Sequence, residues 1–334
     1  MKELRDLDCK NKKIVVRADL NVPVLEGIIT DHSRIHAILP TIEKLIKNKN
    51  KVFLIAHFGR PRGEVNKKYS IKFLCVELKK LLNLNTIHFL ESCKKNIIET
   101  KMSEMDLGEI CILENIRFNA EEEKNDLNFS KLLASSFDIY INDAFSASHR
   151  NHASITGITK YLPSYAGLSF SKEIVILDKF LENSKKPNLA IIGGSKVSTK
   201  IKVLENLVEI FDTLVIGGAM ANTFLLSNNY KVGSSLLEND FIDLSKEIQE
   251  KARLKNCKIL LPTDVVCSKN LEERESVKTY SIDNIPNDQM ILDIGEQSTK
   301  LISDEILKSK SVLWNGPLGA FEYSPFDKST ISVA

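Results

Sequence analysis

Short apolar runs alternate with amphipathic stretches along the whole chain, and this alternation restricts the fold more than any other feature. "IVV", "KVFLIA", "TIHFL", "EICILEN" and "FDIYIN" read as strands. Between them, "SRIHAILPTIEKLIKN", "SIKFLCVELKKLL" and "NFSKLLASS" read as helices. In the first of these, Ile35, Ile38, Leu39, Ile42, Leu45 and Ile46 recur at helical spacing, with Pro40 placed to kink it. After residue 185 the pattern restarts with "NLAIIG", "DTLVIG", "CKILLP", "QMILDI" and "SVLWN". Repeated strand–helix alternation predicts parallel sheets covered by helices on both faces. The two series are separated by "SFSKEIVILDKFLENSKKPN", where Ile174, Leu177 and Leu181 repeat at helical spacing before Pro187. The expected architecture is α/β with two domains, 1–167 and 185–334, joined by a connecting helix over 168–184. A length of 334 residues fits two domains.

Each apolar run leads into a polar or glycine-rich cluster: "RADLN", "HFGRPRG", "ENIRF", "NDAFSASHRNH", "GGSKVSTK", "GGAMANTF", "DIG" and "WNGP". In open α/β sheets, ligands bind outside the carboxyl ends of the strands. Two such edges predict two half-sites facing across a cleft. In "IVVRADLNVP", Arg17, Asp19 and Asn21 stand at alternate positions, which places them on one face of a strand. Burying such a row unpaired is costly. Asp19 and Asn21 are therefore expected to face a ligand. Arg17, deeper in the strand, is expected to pair with a carboxylate and orient the edge.

The arginines are distributed unevenly. Seven of the nine lie in the first 150 residues, and all six histidines precede residue 153. Guanidinium is suited to bidentate contact with carboxylate and phosphate. The first half thus reads as the holder of a small anion. Arg34, Arg60, Arg117 and Arg150 all follow predicted strand ends, whereas Arg5 and Arg62 read as surface residues. His57 follows a strand end too. His149 and His152 lack the HExxH pattern or a cysteine partner, which argues against a metal site. "EEEK" at 121–124 reads as a solvated loop.

"IIGGSKVSTKI" is the sharpest nucleotide signal in the second half. Gly193 and Gly194 allow close backbone approach, and a following helix offers free N–H groups to phosphate. Lys196 and Lys200, four apart, are expected on one helical face. The stretch is neither GxxxxGK[ST] nor GxGxxG, which counts against a P-loop enzyme and against a nicotinamide-dependent dehydrogenase. "VIGGAMANTF" repeats the strand–Gly-Gly–helix pattern with Gly217 and Gly218. Alone it reads as tight helix–sheet packing; beside the first turn it would form a wall of a nucleotide pocket. "WNGPLGAFE" places Asn315, Pro317 and Glu322 in a loop at a strand end.

A net charge of +2 does not point to nucleic acid or membrane, and no apolar run is long enough to cross a bilayer. Six scattered cysteines with no CxxC pair suit a reduced, cytoplasmic protein.

Taken in order, "VVRADLNVP", "AHFGRP", "LENIRF", "NDAFSASHR", "GGSKVSTK", "GGAMANTFL" and "LWNGPLGAFE" resemble the phosphoglycerate kinase family over essentially the whole chain. The resemblance implies two Rossmann-like domains joined by a helix, with hinge closure. It also implies reversible transfer of the acyl phosphate of 1,3-bisphosphoglycerate to ADP with Mg²⁺, giving 3-phosphoglycerate and ATP. By motif, Asp19 and Asn21 would meet the hydroxyl and carboxylate end of phosphoglycerate. His57, Arg60, Arg117 and Arg150 would hold its carboxylate and phosphate, and Arg34 would lie nearest the transferred group. Lys196 and Lys200 would contact nucleotide and transferring phosphates. Gly193, Gly194, Gly217 and Gly218 would shape the adenine and phosphate pocket, with Asn315, Pro317 and Glu322 near base and ribose. Arg34, Lys196 and Lys200 are the expected catalytic groups. Thr199 stands where many members have Asp, and Ala219 where many have a third Gly. The family continues with a GGGDT-like turn that carries the magnesium-ligand Asp, whereas this sequence stops at "FDKSTISVA". The expectation is a fragment of a monomeric enzyme that acts on small molecules, with no metal ligand of its own in these residues. The alternative is a truncated form that binds phosphoglycerate but not Mg-ATP productively.

Overall fold

The computed structural model describes residues 1–25, 27–273 and 275–334. Contacts divide the chain into two compact units, Met1–Asp178 and Lys179–Ala334, with the boundary inside the helix Leu168–Asn183.

The first unit contains β1 (Lys13–Ala18), the short antiparallel pair β2 (Val24–Leu25) and β3 (Ile28–Ile29), β4 (Lys51–Ile55), β5 (His88–Leu90), β6 (Ile110–Leu113), β7 (Ile139–Asp143) and β8 (Ser164–Ala166). Six of these form a parallel sheet in the order β5-β6-β4-β1-β7-β8. β1 lies inside the sheet, and its residues from Ile14 to Ala18 are all buried. Because side chains alternate across a strand, "IVV" supplies both faces. Ile14 and Val16 join the core under the helices Ser33–Lys47 and Leu74–Leu81. Val15 joins the opposite core, under Lys95–Glu104 and Leu127–Ala134. The helix Ser33–Lys47 continues through Pro40, keeping Ile35, Ile38, Ile42 and Leu45 on its buried side. The strand β1 ends at Ala18, so only Arg17 of the Arg17–Asp19–Asn21 row is in the ladder. The predicted solvated loop is also corrected: Ala120–Glu123 is a helical turn, and Glu122 is fully buried.

In the second unit, β9 (Asn188–Ile192), β10 (Thr213–Ile216), β11 (Lys258–Leu260) and β15 (Ser311–Asn315) form a parallel sheet in the order β11-β10-β9-β15. Ala190 and Ile192 of β9 pack against the helices Ile201–Ile210, Met220–Ser227 and Ile242–Leu254. Leu189 and Ile191 face the helix Glu296–Lys308. "QMILDI" does not extend this sheet. It forms β14 (Met290–Ile294), which pairs antiparallel with β12 (Asp264–Ser268), itself antiparallel to β13 (Lys278–Ser281). The "DIG" cluster therefore ends an antiparallel strand and is not at the parallel sheet's carboxyl edge.

Asn50, fully buried, ties the entry to the first sheet. Its Oδ1 accepts from Lys12 N at 2.9 Å, and its Nδ2 donates to Leu45 O at 3.0 Å and Cys9 O at 3.2 Å. It thus links the segment before β1, the last turn of the helix Ser33–Lys47 and the start of β4. Asn50→Ala strands buried partners and should destabilise the first unit by about 3 kcal/mol. Urea denaturation should show a lower midpoint at unchanged slope; a loss under about 0.5 kcal/mol would contradict this role.

Candidate anion and nucleotide sites

At the carboxyl edge of the first sheet the arginines converge. Arg17 is 1% exposed, yet each of its three guanidinium nitrogens has a partner. Nε donates to Ser154 Oγ at 3.0 Å, Nη1 to Ala18 O at 2.7 Å, and Nη2 lies 3.0 Å from His57 Nδ1. Arg117, on the turn Ile116–Phe118 after β6, is also buried. Its Nη1 donates to Gly59 O at 3.0 Å, and Nε stands 3.3 Å from Glu123 Oε1 without hydrogen-bond geometry. Nε and Nη2 of Arg117 and Nε of Arg150 are buried with no hydrogen-bond partner. Burial, then Arg150, pushes the Arg117 guanidinium down to about 10. These three nitrogens are donors for which the protein itself supplies no acceptor.

Gly59 joins two of the predicted residues. Its N–H donates to Asn21 Oδ1 at 2.9 Å and its carbonyl accepts from Arg117. Its φ is +61°, and a Cβ there would lie 2.5 Å from the Tyr69 ring, so both strain and space require glycine. Asp19 lies just beyond β1. It accepts from Arg34 Nη1 and from Ser146 Oγ, each at 2.5 Å. A cavity of about 220 Å³ opens beside Asp19, Arg34 and Ser146. The predicted Arg60 is exposed and has no hydrogen bond or ion pair among the described residues. His149 is exposed as well, and no group of three His, Cys, Asp or Glu side chains among the described residues could hold a metal. His57 is buried, and its ring is held neutral: burial, then the charges of Arg17, Arg117, Arg150 and Arg34, lowers it to about 2. The sequence reading missed Ser146, Ser154, Tyr140 and Glu122, because hydroxyls and a charge run carry no spacing signal.

In the second unit the glycine turns after β9, β10 and β15 lock onto one another. Gly193 N donates to Asn315 O, Gly217 N to Ile192 O, Gly218 N to Leu318 O and Met220 N to Gly194 O, at 2.8–3.0 Å. A Cβ on Gly193 would lie 1.9 Å from Pro317 O. These glycines are there for backbone approach to backbone. Gly194, Gly218, Pro317 and Glu322 also line a cavity of about 400 Å³ whose other walls include Leu236 and Met290. Such a volume with apolar walls suits a planar base. Gly193 and Gly217 stand behind this lining. The expected lysine pair is corrected: the helix begins at Ile201, so Lys196 and Lys200 precede it and share no helical face. Buried Val197 and a pair of bonds from Ser198 to Glu238 fix that loop. Lys200 Nζ donates to Gly193 O at 2.7 Å and Asn315 Oδ1 at 2.5 Å, whereas Lys196 is exposed.

A family model described as phosphoglycerate kinase matches residues 4–334. A phosphoglycerate kinase of Finegoldia magna is 46% identical over all of this chain and 85% of the relative. The structure of phosphoglycerate kinase from Coxiella burnetii aligns over 99% of this chain and 84% of that one, with 35% identity and a TM-score of 0.73. The enzyme from Pyrococcus horikoshii OT3 aligns over 100% and 85%, with 28% identity and a TM-score of 0.81.

The depressed His57 makes the first unit acid-sensitive. Its folded value lies near 2, against 6.5 when unfolded, so unfolding takes up a proton below pH 6.5. The stability it contributes is complete above that pH and is lost as pH falls toward the folded value. Between pH 7 and pH 5 the loss is about 2 kcal/mol. Denaturant midpoints at the two pH values should show this loss, and His57→Gln should abolish it. An equal pH dependence in the variant would show that His57 is not the group responsible.

Proposed function

The chain belongs to the phosphoglycerate kinase family, and from that premise we propose how its residues carry out the reversible transfer of an acyl phosphate from 1,3-bisphosphoglycerate to ADP. The first unit holds the phosphoglycerate. The observation that carries this reading is the set of buried, unpartnered donors on Arg117 and Arg150 beside buried Arg17. Buried cationic donors without acceptors call for an anionic ligand, and the carboxylate and phosphate of phosphoglycerate supply it. Arg117, Arg150 and neutral His57 bind its anionic groups, Arg60 swings in from solvent, and Asn21 offers its amide NH₂ while Gly59 holds the oxygen. Asp19 receives the hydroxyl. Arg34, oriented by Asp19, lies nearest the group in transit.

The second unit holds the nucleotide. The apolar cavity receives the base, with Pro317 and Glu322 at base and ribose, while Gly194 and Gly218 leave room for the chain of phosphates. Lys200, folded over Gly193 and held by Asn315, is released toward phosphate, and exposed Lys196 joins it. Gly193 and Gly217 support this wall from behind. Mg²⁺ would arrive with the ATP or ADP phosphates, which is its usual mode. The described residues present no cluster of their own to cage it, and no step is routed through it.

The chemistry asks for in-line placement and charge compensation more than covalent help. The attacking oxygen is already a carboxylate or a phosphate, so no general base is needed. His57, neutral across the physiological range, is a hydrogen-bond donor to the anion and no acid catalyst. The protein works in the cytoplasm on small molecules, as a monomer.

A coupled assay of 3-phosphoglycerate-dependent ATP consumption tests the reading. Turnover should require both substrates, and Arg34→Ala should lower kcat on the order of 10³-fold. An unchanged kcat would remove Arg34 from the transfer step. Binding of 3-phosphoglycerate without any turnover would favour a binding protein over a kinase.

A further inference from the structure

Glu122 is the least exposed acidic side chain among the described residues, at 0%, and the reaction as proposed leaves it unused. Both of its carboxylate oxygens accept from Ser154: Oε2 from Ser154 N at 2.8 Å and Oε1 from Ser154 Oγ at 2.6 Å. Ser154 sits on a π-helical turn, Ala153–Gly157, a rare local geometry that recurs at functional sites. From that turn Ser154 aims both its N–H and its O–H at the Glu122 carboxylate. Tyr140 of β7 holds the Ser154 carbonyl from the other side, with its hydroxyl at 2.8 Å.

The proton directions along the relay are forced. A carboxylate can only accept, so the single hydroxyl proton of Ser154 goes to Glu122. A lone pair of Ser154 Oγ then accepts from Arg17 Nε at 3.0 Å. Guanidinium can only donate, so Nη2, 3.0 Å from His57 Nδ1, gives that nitrogen a hydrogen bond. Nδ1 cannot then carry a proton, and the ring proton is on Nε2. We propose that Glu122 is a positioning residue for anion binding: through Ser154 and Arg17 it fixes His57 as the Nε2–H tautomer, a ring that offers the ligand one donor.

The surrounding charges agree. His57 faces Arg17, Arg117, Arg150 and Arg34, all of which oppose its protonation. Glu122 stays ionised although burial opposes it, because His152, Arg17 and both Ser154 donors stabilise the anion. His152 Nδ1 lies 3.7 Å from Glu122 Oε1, within electrostatic reach but beyond a hydrogen bond. The relay thus supplies the buried counter-charge for Arg17 while Arg117 Nε and Nη2 and Arg150 Nε keep hydrogen bonds to give to the ligand.

This inference rests on His57 touching the phosphoglycerate, and its test separates the two. Imidazole ¹⁵N spectra of the full chain without ligand should show His57 as one neutral tautomer, protonated at Nε2, with no titration between pH 5 and 8. A proton on Nδ1, or titration in that range, overturns the proposal. Glu122→Gln should give a mixture of tautomers, raise KM for 3-phosphoglycerate about tenfold, and leave kcat within about twofold. Ser154→Ala breaks the same relay without removing a charge, and serves if Glu122→Gln does not fold. If the unaltered chain binds 3-phosphoglycerate and both variants keep its affinity and its single tautomer, only the positioning role falls. If the unaltered chain does not bind 3-phosphoglycerate, the substrate reading itself falls and takes this role with it.

Discussion

A guanidinium buried at the end of a central strand sets the terms for the first unit. Placing Arg17 in the interior costs several kcal/mol before any partner is found. The fold answers with a hydroxyl, a backbone carbonyl and an imidazole on its nitrogens, and with Glu122 as the charge behind the hydroxyl. The carbonyl is that of Ala18 in the same strand, but the other three come from different connections: the segment after β4, the turn Ala120–Glu123 and the turn Ala153–Gly157. One buried charge therefore fixes the mutual placement of loops that also carry His57, Arg117 and Arg150. The same principle explains why Arg117 and Arg150 differ from Arg17. Nε and Nη2 of Arg117 and Nε of Arg150 are buried but unmatched, which is the state expected of a site whose counter-ion arrives from solution.

The second unit meets its constraint with backbone. Three strand ends approach so closely that side chains are excluded from Gly193, Gly217 and Gly218, and main-chain hydrogen bonds hold the turns together. The resulting surface lacks side chains at these glycines, and Lys196 and Lys200 flank it on a loop pinned by Val197 and Glu238. One unit thus gathers guanidinium groups at its sheet edge, the other closely packed glycine backbone with Lys200 folded onto it.

What the sequence made legible follows from which forces leave a periodic trace. Strands buried on both faces, such as β1 and β9, read as unbroken apolar runs, and the helices over them repeat at 3.6 residues. β12 and β13 left no such trace: β13 is largely exposed, and β12 pairs with β14 through a register shift. "QMILDI" was legible as a strand but not as antiparallel, since pairing direction is a property of neighbours. The Lys196–Lys200 spacing suggested a helix that the structure delays to Ile201, because Gly-Gly turns into a loop before any helix can nucleate. Glu122 was hidden by its neighbours. In "EEEK" three acids look alike, and only the tertiary demand of Arg17 selects the middle one for the interior. Arg34, Arg117 and Arg150 stood out in the sequence because a scarce residue type recurred at strand ends, and their charges all bear on His57; Arg60 shares that signal but stands in solvent.

If the unpartnered guanidinium donors at the edge of the first sheet bind a phosphorylated carboxylic acid, amide chemical-shift mapping of the full chain during titration with 3-phosphoglycerate will locate it there. Saturable shifts are expected at Asn21, Gly59, Arg117 and Arg150, with the parallel sheet of the second unit unmoved. Shifts confined to the glycine turns of the second unit, or no saturable shifts at all, would contradict it.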